Sequence, residues 1–324
     1  MIAFLLCSVL QNQESFQNPS GIARIVVEAE AASSKVETEL ARTFLGEAKN
    51  LPAPAARAWY FRRGDSEVEY RSEVQFNGMS SEERKKWTRR DLTEDLYYNT
   101  KYGTPLAYAR LLDVAALKGL TSLEGKRIVD FGYGTIGHLR MMAGLGADVA
   151  GVDVDPMLDA FYGDPRDVQS DKGSVALLRG FFPTDARLMA AIGRCDVFTS
   201  KNTLKKGYIH PSREAKPEQM IDLGVDDETF LKTIYTALKP GGYVVIYNLA
   251  GAKAKDSEPF NPSAEGENPF PQDLWEKVGF TTLAYDEVDS PAIRKLGEVF
   301  GWGKPQDLET SFFSWYSVFK KPEI

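Results

Sequence analysis

The sequence predicts an α/β protein with a doubly wound, mostly parallel seven-stranded sheet, an antiparallel last strand and an N-terminal helical cap. From residue 126 onward, short β-branched segments alternate with segments of helical period, which is typical of parallel strands with helices on both faces. The first of these segments ends in a glycine-rich turn, and the second ends in an acidic residue. A chain of 324 residues is long enough for one such domain and an appendage.

Two regions precede the predicted sheet. Residues 1–20 contain an apolar run that is too short for a transmembrane helix and lacks the flanks of a signal peptide, so we expect an apolar or disordered tail, or a weak signal. Residues 21–104 are predicted to form the helical cap. Within it, 21–48 are rich in Ala and Glu, and the aromatic and charged residues of 57–100 indicate a folded appendage. A third region, residues 105–324, carries the sheet.

Five apolar, β-branched segments in this third region have the spacing of parallel strands: 127–131, 148–152, 174–179, 196–200 and 243–247. Segments of helical period stand before and between them: 106–117, 137–145, 156–162, 186–192 and 229–238. Two further strands, 281–285 and 311–319, are expected to pair antiparallel at the sheet edge, with helices at 274–278 and 291–300.

Composition and charge exclude several classes of function. The net charge of −7 argues against a broad phosphate-binding surface, so nucleic acid is not an expected partner. The two cysteines, Cys7 and Cys195, cannot form a disulfide framework, and no Cys/His cluster has the spacing of a metal site. We therefore expect a globular protein that binds a small molecule and no metal.

The first predicted strand ends in the turn Val129–Gly134, which reads V-D-F-G-Y-G. Gly132 and Gly134 permit a tight turn and the close approach of a ligand, and the helix that follows offers free N–H groups. The second strand ends at Asp153, whose carboxylate suits the two hydroxyls of an adenosine ribose. The pattern predicts an adenosine-containing ligand at the carboxyl ends of these two strands.

Asp130 discriminates between two such ligands. A dinucleotide places its pyrophosphate beside the glycines, and a carboxylate two residues ahead of the first glycine would repel it. S-adenosylmethionine instead carries an ammonium and a sulfonium near this turn, and both suit a carboxylate. The alternative interpretation is that Asp130 only caps the turn through backbone N–H groups.

Four segments resemble, in order, the motifs of the class I S-adenosylmethionine-dependent methyltransferases, a Rossmann-like family. Val129–Gly134 resembles the first motif, Gly151–Pro156 the second, Leu238–Tyr243 the turn into the fifth strand, and Trp275–Phe280 the lead into the sixth. The resemblance covers about residues 105–320. It implies methyl transfer from S-adenosylmethionine by direct displacement.

The resemblance also implies roles for individual residues. Asp130, Gly132 and Gly134 would hold the methionine end of the donor, and Asp153 its ribose. Four more residues complete the predicted cofactor-binding set: Tyr102, Tyr133, Val154 and Met157.

The chain departs from the family pattern at two places. Ile136 stands where the family has its third glycine. The segment 180–182, Gly-Phe-Phe, stands where the family often has an acid for the adenine amino group, a contact that the backbone or Asp185 could supply instead.

The acceptor site is expected after the fourth strand, where this fold places substrate chemistry. His210 is a candidate base and Tyr208 a candidate for orienting the acceptor, although a surface histidine and a packing tyrosine are equal alternatives. Residues 97–105 are expected to cover the donor through Tyr98, Lys101 and Tyr102. The loop 250–271 has the length of a lid.

The function that these patterns favour is a methyltransferase with a small-molecule acceptor. Two alternatives stay open: an NAD(P)-dependent oxidoreductase that uses the same glycine turn, and a non-catalytic nucleoside-binding protein of the same fold. An enzyme that uses S-adenosylmethionine is expected in the cytoplasm, although the apolar N-terminal run keeps export or membrane association open.

Overall fold

The computed structural model describes residues 20–64, 67–255 and 257–323 of the chain. The predicted apolar tail, apart from its last residue, lies outside the described residues. The described chain forms a three-stranded sheet and a seven-stranded sheet with helices packed around them. Among the described residues, no helix combines the length and the apolar character needed to cross a bilayer.

The N-terminal region contains helices and a small sheet. Its elements are α1 (Gly21–Ser33), α2 (Glu39–Gly46), β1 (Ala58–Arg63), β2 (Val68–Ser72), α3 (Glu73–Asn77), α4 (Ser81–Arg84), β3 (Thr88–Asp91) and α5 (Glu94–Asn99). The helices agree with the predicted helical cap, but the sequence pattern did not predict the antiparallel sheet β2-β1-β3. Aromatic side chains explain it, because Trp59 packs against Phe61 and Tyr70 on the pleated surface.

The remaining strands form the main sheet. They are β4 (Arg127–Phe131), β5 (Asp148–Asp153), β6 (Ser174–Arg179), β7 (Cys195–Lys201), β8 (Leu238–Gly251), β9 (Thr281–Val288) and β10 (Phe312–Lys320). Their spatial order is β6-β5-β4-β7-β8-β10-β9, and β10 is antiparallel to both neighbours. The predicted seven-stranded, mostly parallel sheet with an antiparallel last strand is therefore confirmed.

Helices cover both faces of this sheet. They are α6 (Tyr108–Leu117), α7 (Gly137–Gly144), α8 (Pro156–Phe161), α9 (Ala186–Ile192), α10 (Lys206–Ile209), α11 (Asp227–Ala237), α12 (Gln272–Val278), α13 (Ser290–Val299) and α14 (Pro305–Ser311). Single 3-10 turns lie at Glu47–Asn50, Pro105–Ala107, Pro165–Val168, Pro217–Gln219 and Pro262–Ala264.

The core has one layer on each face of the sheet. On one face, Ile25 and Phe44 of the N-terminal helices are buried in the same cluster as Leu111 of α6. On the other face, Phe230 of α11 and Trp275 of α12 are fully buried against the sheet. Because the N-terminal helices share a core with the sheet, burial of apolar surface holds the two regions together.

Among the differences from the sequence prediction, two concern β8 and the segment that follows it. β8 begins at Leu238 rather than at residue 243, because the end of the chain pairs with the Pro-Gly-Gly segment: Gly241 N–H donates to Lys321 O over 3.0 Å. The predicted lid, residues 250–271, is exposed only in its first half. Residues 262–270 are largely buried, and Phe270 is fully buried in the core.

Candidate functional site

Parallel pairing of β4 and β5 brings the glycine turn and Asp153 to one edge of the sheet. Gly132 and Gly134 have φ of 78° and 58°, in the left-handed region that favours glycine. A Cβ at Gly132 would overlap the Thr203 side chain, and one at Gly134 would lie 2.8 Å from the Tyr102 ring. The turn therefore requires glycine, and the chain's own side chains approach it closely.

Asp153 fastens the turn to the end of β5. Its Oδ2 accepts a hydrogen bond from Gly134 N–H over 3.0 Å, and its Oδ1 accepts from Val154 and Asp155 N–H over 2.8 and 3.0 Å. Burial raises the pKa of Asp153 above its ordinary value, although these backbone hydrogen bonds oppose the rise. The carboxylate thus positions the two strand ends relative to each other.

Asp130 is fully buried under the turn. Its Oδ2 accepts from the Tyr108 hydroxyl over 2.9 Å and lies 2.8 Å from His138 Nε2, and its Oδ1 accepts from the Thr199 hydroxyl over 2.6 Å. The rings of Tyr108 and His138 stack 3.5 Å apart. Burial lowers the pKa of His138, which favours the neutral ring. Asp130 therefore has three partners within the chain, which the sequence did not predict.

A short strap, residues 100–104, covers the glycine turn. The Thr100 hydroxyl donates to Gly134 O over 2.9 Å. The Tyr102 hydroxyl and the Lys101 ammonium both meet Asp155 Oδ2, at 2.7 and 2.5 Å. Burial opposes the charge of Asp155, but the hydrogen bonds from Lys101 and Tyr102 prevail and lower its pKa. The strap thus places Tyr102 beside Gly134 and ties it to Asp155, while its predicted contact with the donor stays a prediction.

Two predicted aromatic contacts lie in the core instead. Tyr98 is fully buried, and its hydroxyl donates to Pro52 O over 2.5 Å. Tyr133 is also buried, with its ring over Gly151, where a Cβ would lie 2.9 Å from the ring. The Tyr98 ring lies near Gly137 at the start of α7, and the Tyr133 ring lies against β5.

Apolar side chains are exposed at the carboxyl ends of β5 and β6. Val154 is 48% exposed and Phe181 is 65% exposed. Met157 is buried, and its N–H donates to Asp155 Oδ1 over 2.9 Å. Asp185 caps α9 by accepting from Arg187 and Leu188 N–H over 2.9 and 3.2 Å. Because the Asp185 carboxylate is used to cap α9, Phe181 is more accessible to a ligand than Asp185 at this edge of the sheet.

Two buried lysines lie at the end of β7, and the sequence prediction missed both. Lys201 is 8% exposed and Lys205 is 3% exposed. Burial lowers the pKa of Lys201 to about 8. Burial and the charge of Lys201 lower the pKa of Lys205 to about 7. Lys205 donates to the backbone carbonyls of Leu249 and Ser263, while Lys201 faces the ring of Tyr108.

The candidate acceptor residues lie beyond these lysines. His210 Nε2 is 2.9 Å from Asp227 Oδ2, and both side chains are partly exposed. The ring of Tyr208 lies 5.2 Å from Lys205 Nζ, and burial raises the pKa of its hydroxyl. His210 thus belongs to a surface pair with α11, whereas Tyr208 packs against Lys205.

Comparisons with known proteins find only distant similarity to solved structures. No protein-family model and no curated protein sequence matches the chain. An S-adenosylmethionine-dependent methyltransferase from Mesorhizobium loti is 16% identical over 66% of this chain and 98% of its own, with a TM-score of 0.40. Phosphoethanolamine N-methyltransferase 2 from Haemonchus contortus is 14% identical over 88% of this chain and 76% of its own, with the same TM-score, 0.40. The cyclase SpnF is 16% identical over 66% of this chain and 80% of its own, with a TM-score of 0.40.

The strand order identifies the fold. In a dinucleotide-binding sheet, the sixth strand lies directly beside the fifth. Here β9, the sixth strand of the sheet in chain order, is separated from β8 by the antiparallel β10. That arrangement agrees with the predicted antiparallel last strand and differs from a dinucleotide-binding sheet. The described chain has the fold of the class I S-adenosylmethionine-dependent methyltransferases.

Proposed function

We propose that the protein transfers a methyl group from S-adenosylmethionine to a small-molecule acceptor. The observation that carries the proposal is the hydrogen bond from Gly134 N–H to Asp153. In a dinucleotide site, backbone N–H groups at such a turn bind the pyrophosphate. Here a carboxylate takes the N–H and a second carboxylate, Asp130, lies beneath the turn, so the turn disfavours a pyrophosphate and suits the sulfonium and ammonium of S-adenosylmethionine.

The residues at the sheet edge fit the parts of this donor. Gly132 and Gly134 permit the tight turn, with the Thr203 and Tyr102 side chains close to where a Cβ would lie. The Asp153 carboxylate at the end of β5 would accept the ribose hydroxyls. The exposed Val154 and Phe181 offer apolar surface for the adenine ring. When bound, S-adenosylmethionine supplies an already activated methyl group, so the protein has to align the acceptor and exclude water.

The strap would then cover the donor, and residues after β7 would position the acceptor. Tyr102, held by Asp155, would close over the donor from the side of the N-terminal region. Tyr208 and His210 remain our candidates for orienting the acceptor and removing its proton. Because S-adenosylmethionine is a cytosolic metabolite, we propose the cytoplasm as the place of action.

Calorimetric titration of the full chain tests the proposal. We expect micromolar binding of S-adenosylhomocysteine and no binding of NADH. Binding of NADH alone would establish the oxidoreductase alternative, and binding of neither would reject the proposed donor site.

Two variants of β5 localise the binding. Asp153→Ala should weaken S-adenosylhomocysteine by more than about tenfold, the scale of a lost charge-assisted hydrogen bond. Asp148→Ala is the matched control, since Asp148 begins the same strand at the opposite edge and pairs with Arg127. Equal affinity in both variants would reject the assignment of Asp153.

A further inference from the structure

Lys201 is buried without a counter-ion. It is the last residue of β7, and its Nζ lies 5.6 Å from the centre of the Tyr108 ring. Its ammonium makes no hydrogen bond or ion pair with any residue in the described part of the chain. Burying an ammonium without an anion is costly. A ligand that brings an anion to this position would remove that cost.

The groups around Lys201 leave its charge uncompensated. Asp130 attracts it, but the oxygens of that carboxylate already have three partners within the chain. Lys205 carries the same charge and repels it. Tyr247 lies opposite Lys201 in the pairing of β7 and β8. Its hydroxyl donates to Asp289 over 2.6 Å and carries no charge that would compensate the ammonium.

The backbone holds Lys201 beside the glycine turn. In the parallel pairing of β4 and β7, Phe131 lies opposite Ser200, so the next residues at the edge are Gly132 and Lys201. After Lys201 the chain turns at Asn202, whose φ is 64°. Asn202 is held to β8, because Leu249 N–H donates to its Oδ1 over 2.7 Å and its N–H donates to Asn248 Oδ1 over 3.1 Å.

We propose that Lys201 binds the amino-acid carboxylate of the methyl donor. The inference rests on the proposed function, because Gly132 marks where the methionine end of the donor would lie. A carboxylate there would form a charge-assisted hydrogen bond with an ammonium that the fold leaves without an anion. Lys201 would then distinguish the complete donor from nucleosides that lack the amino-acid end.

Two ligands and one variant test this assignment on the full chain. S-adenosylhomocysteine carries the carboxylate, whereas 5′-methylthioadenosine keeps the nucleoside and the sulfur but lacks the amino-acid end. Lys201→Met should weaken S-adenosylhomocysteine roughly 10- to 100-fold and leave the affinity for 5′-methylthioadenosine within about twofold of wild type. Lys239→Met is the matched control, because Lys239 pairs with Asp196 near the opposite end of β7.

The outcomes separate this inference from the proposed function. If wild type does not bind S-adenosylhomocysteine, the proposed function fails. If wild type binds it and Lys201→Met binds it equally well, the inference about Lys201 fails alone. An equal loss for both ligands would show a structural role and would also overturn the inference. Retained binding of 5′-methylthioadenosine shows that the variant is folded.

Proton uptake gives an independent readout. A bound carboxylate raises the pKa of a neighbouring ammonium, so at pH 8 wild type should take up a fraction of a proton with S-adenosylhomocysteine. The uptake is measured by calorimetry in two buffers of different ionisation enthalpy. The titratable groups that face Lys201 are Tyr108 from α6, Asp130 from β4, His138 from α7, Tyr247 from β8 and Lys205 after β7.

Two variants identify the residue that takes up the proton. Lys201→Met should abolish the proton uptake on binding of S-adenosylhomocysteine, while Lys205→Met should retain it. Uptake that persists in Lys201→Met would assign the proton to another of these groups and overturn the inference.

Discussion

Two buried cations in the same molecule have opposite surroundings. Arg110 on α6 donates to both oxygens of Asp289 over 2.8 Å, and it also meets Asp113 and Glu37. Lys201, at the end of β7, has no carboxylate in contact. Burial lowers the pKa of both groups, but the hydrogen bonds of Asp289 reverse the effect for Arg110, whereas the pKa of Lys201 falls to about 8.

The difference fits the separate roles that we assign to Arg110 and Lys201. Arg110 joins α6 to α13 through Asp289 and to the start of α2 through Glu37, so its partners are fixed by folding. Asp113 strengthens this junction by accepting from Glu37 and Thr38 N–H over 3.0 and 2.8 Å. The anions that pair with Arg110 thus belong to the chain itself. Lys201 lies at the edge where ligands bind in this fold, and its anion has to come from outside.

Arg110→Met should have the largest effect on stability. It leaves Asp113 and Asp289 buried without their cation, and breaking such a pair costs about 3–5 kcal/mol. Urea unfolding of wild type and variant measures this loss. Arg179→Met is the control, because Arg179 pairs with Asp159 at the surface and should cost under about 0.5 kcal/mol. A loss of stability below about 1 kcal/mol in Arg110→Met would mean that the carboxylates around Arg110 do not stabilise the fold. The contrast between Arg110 and Lys201 would then have no energetic basis.

Lys201→Met should act in the opposite direction and stabilise the chain. The variant removes a buried ammonium that has no anion, and the lowered pKa of that group corresponds to about 1–3 kcal/mol at pH 7. The same urea titration measures the gain. A loss of stability comparable to that of Arg110→Met would show that Lys201 is paired in solution and would remove the contrast.

The gain should depend on pH in a defined window. Below about pH 8 the ammonium is charged in both states, so the cost of burying it is fully present. Between about 8 and the ordinary value of 10.5, the unfolded chain holds the proton more tightly, so the free energy of unfolding of wild type rises with pH. The advantage of Lys201→Met should therefore shrink over this window. An advantage that stays constant up to pH 10 would exclude Lys201 as its source.

The fold was predictable because it depends on regular patterns. Alternating strands and helices, with glycines at the first turn, specify the parallel sheet without knowledge of any contact. The small sheet β2-β1-β3 was not predictable in the same way. Its strands are stabilised by cross-strand pairs such as Trp59 with Tyr70, and such pairs depend on a register that composition does not reveal.

The candidate site was predictable only in part. Gly132, Gly134 and Asp153 form a local motif, and the structure places them together at one edge. The partners of Asp130 come from α6, α7 and β7, so they are brought together only by tertiary folding. Lys201 gave one signal that the sequence analysis did not use, namely a lysine directly after the predicted fourth strand, 196–200.

His210→Gln should have the smallest effect and completes the comparison with a pair at the surface. His210 pairs with Asp227 at 2.9 Å, but the two side chains are 48% and 30% exposed, so water compensates both groups when the pair is lost. We expect the free energy of unfolding to change by less than about 0.5 kcal/mol in urea titrations at pH 7. Asp227→Asn is the matched variant and should show the same small change. A loss above about 1 kcal/mol in both would place this pair with Arg110 as part of the fold. A small loss leaves His210 free to be tested as a base, because any change in methyl transfer would then arise from chemistry rather than from unfolding.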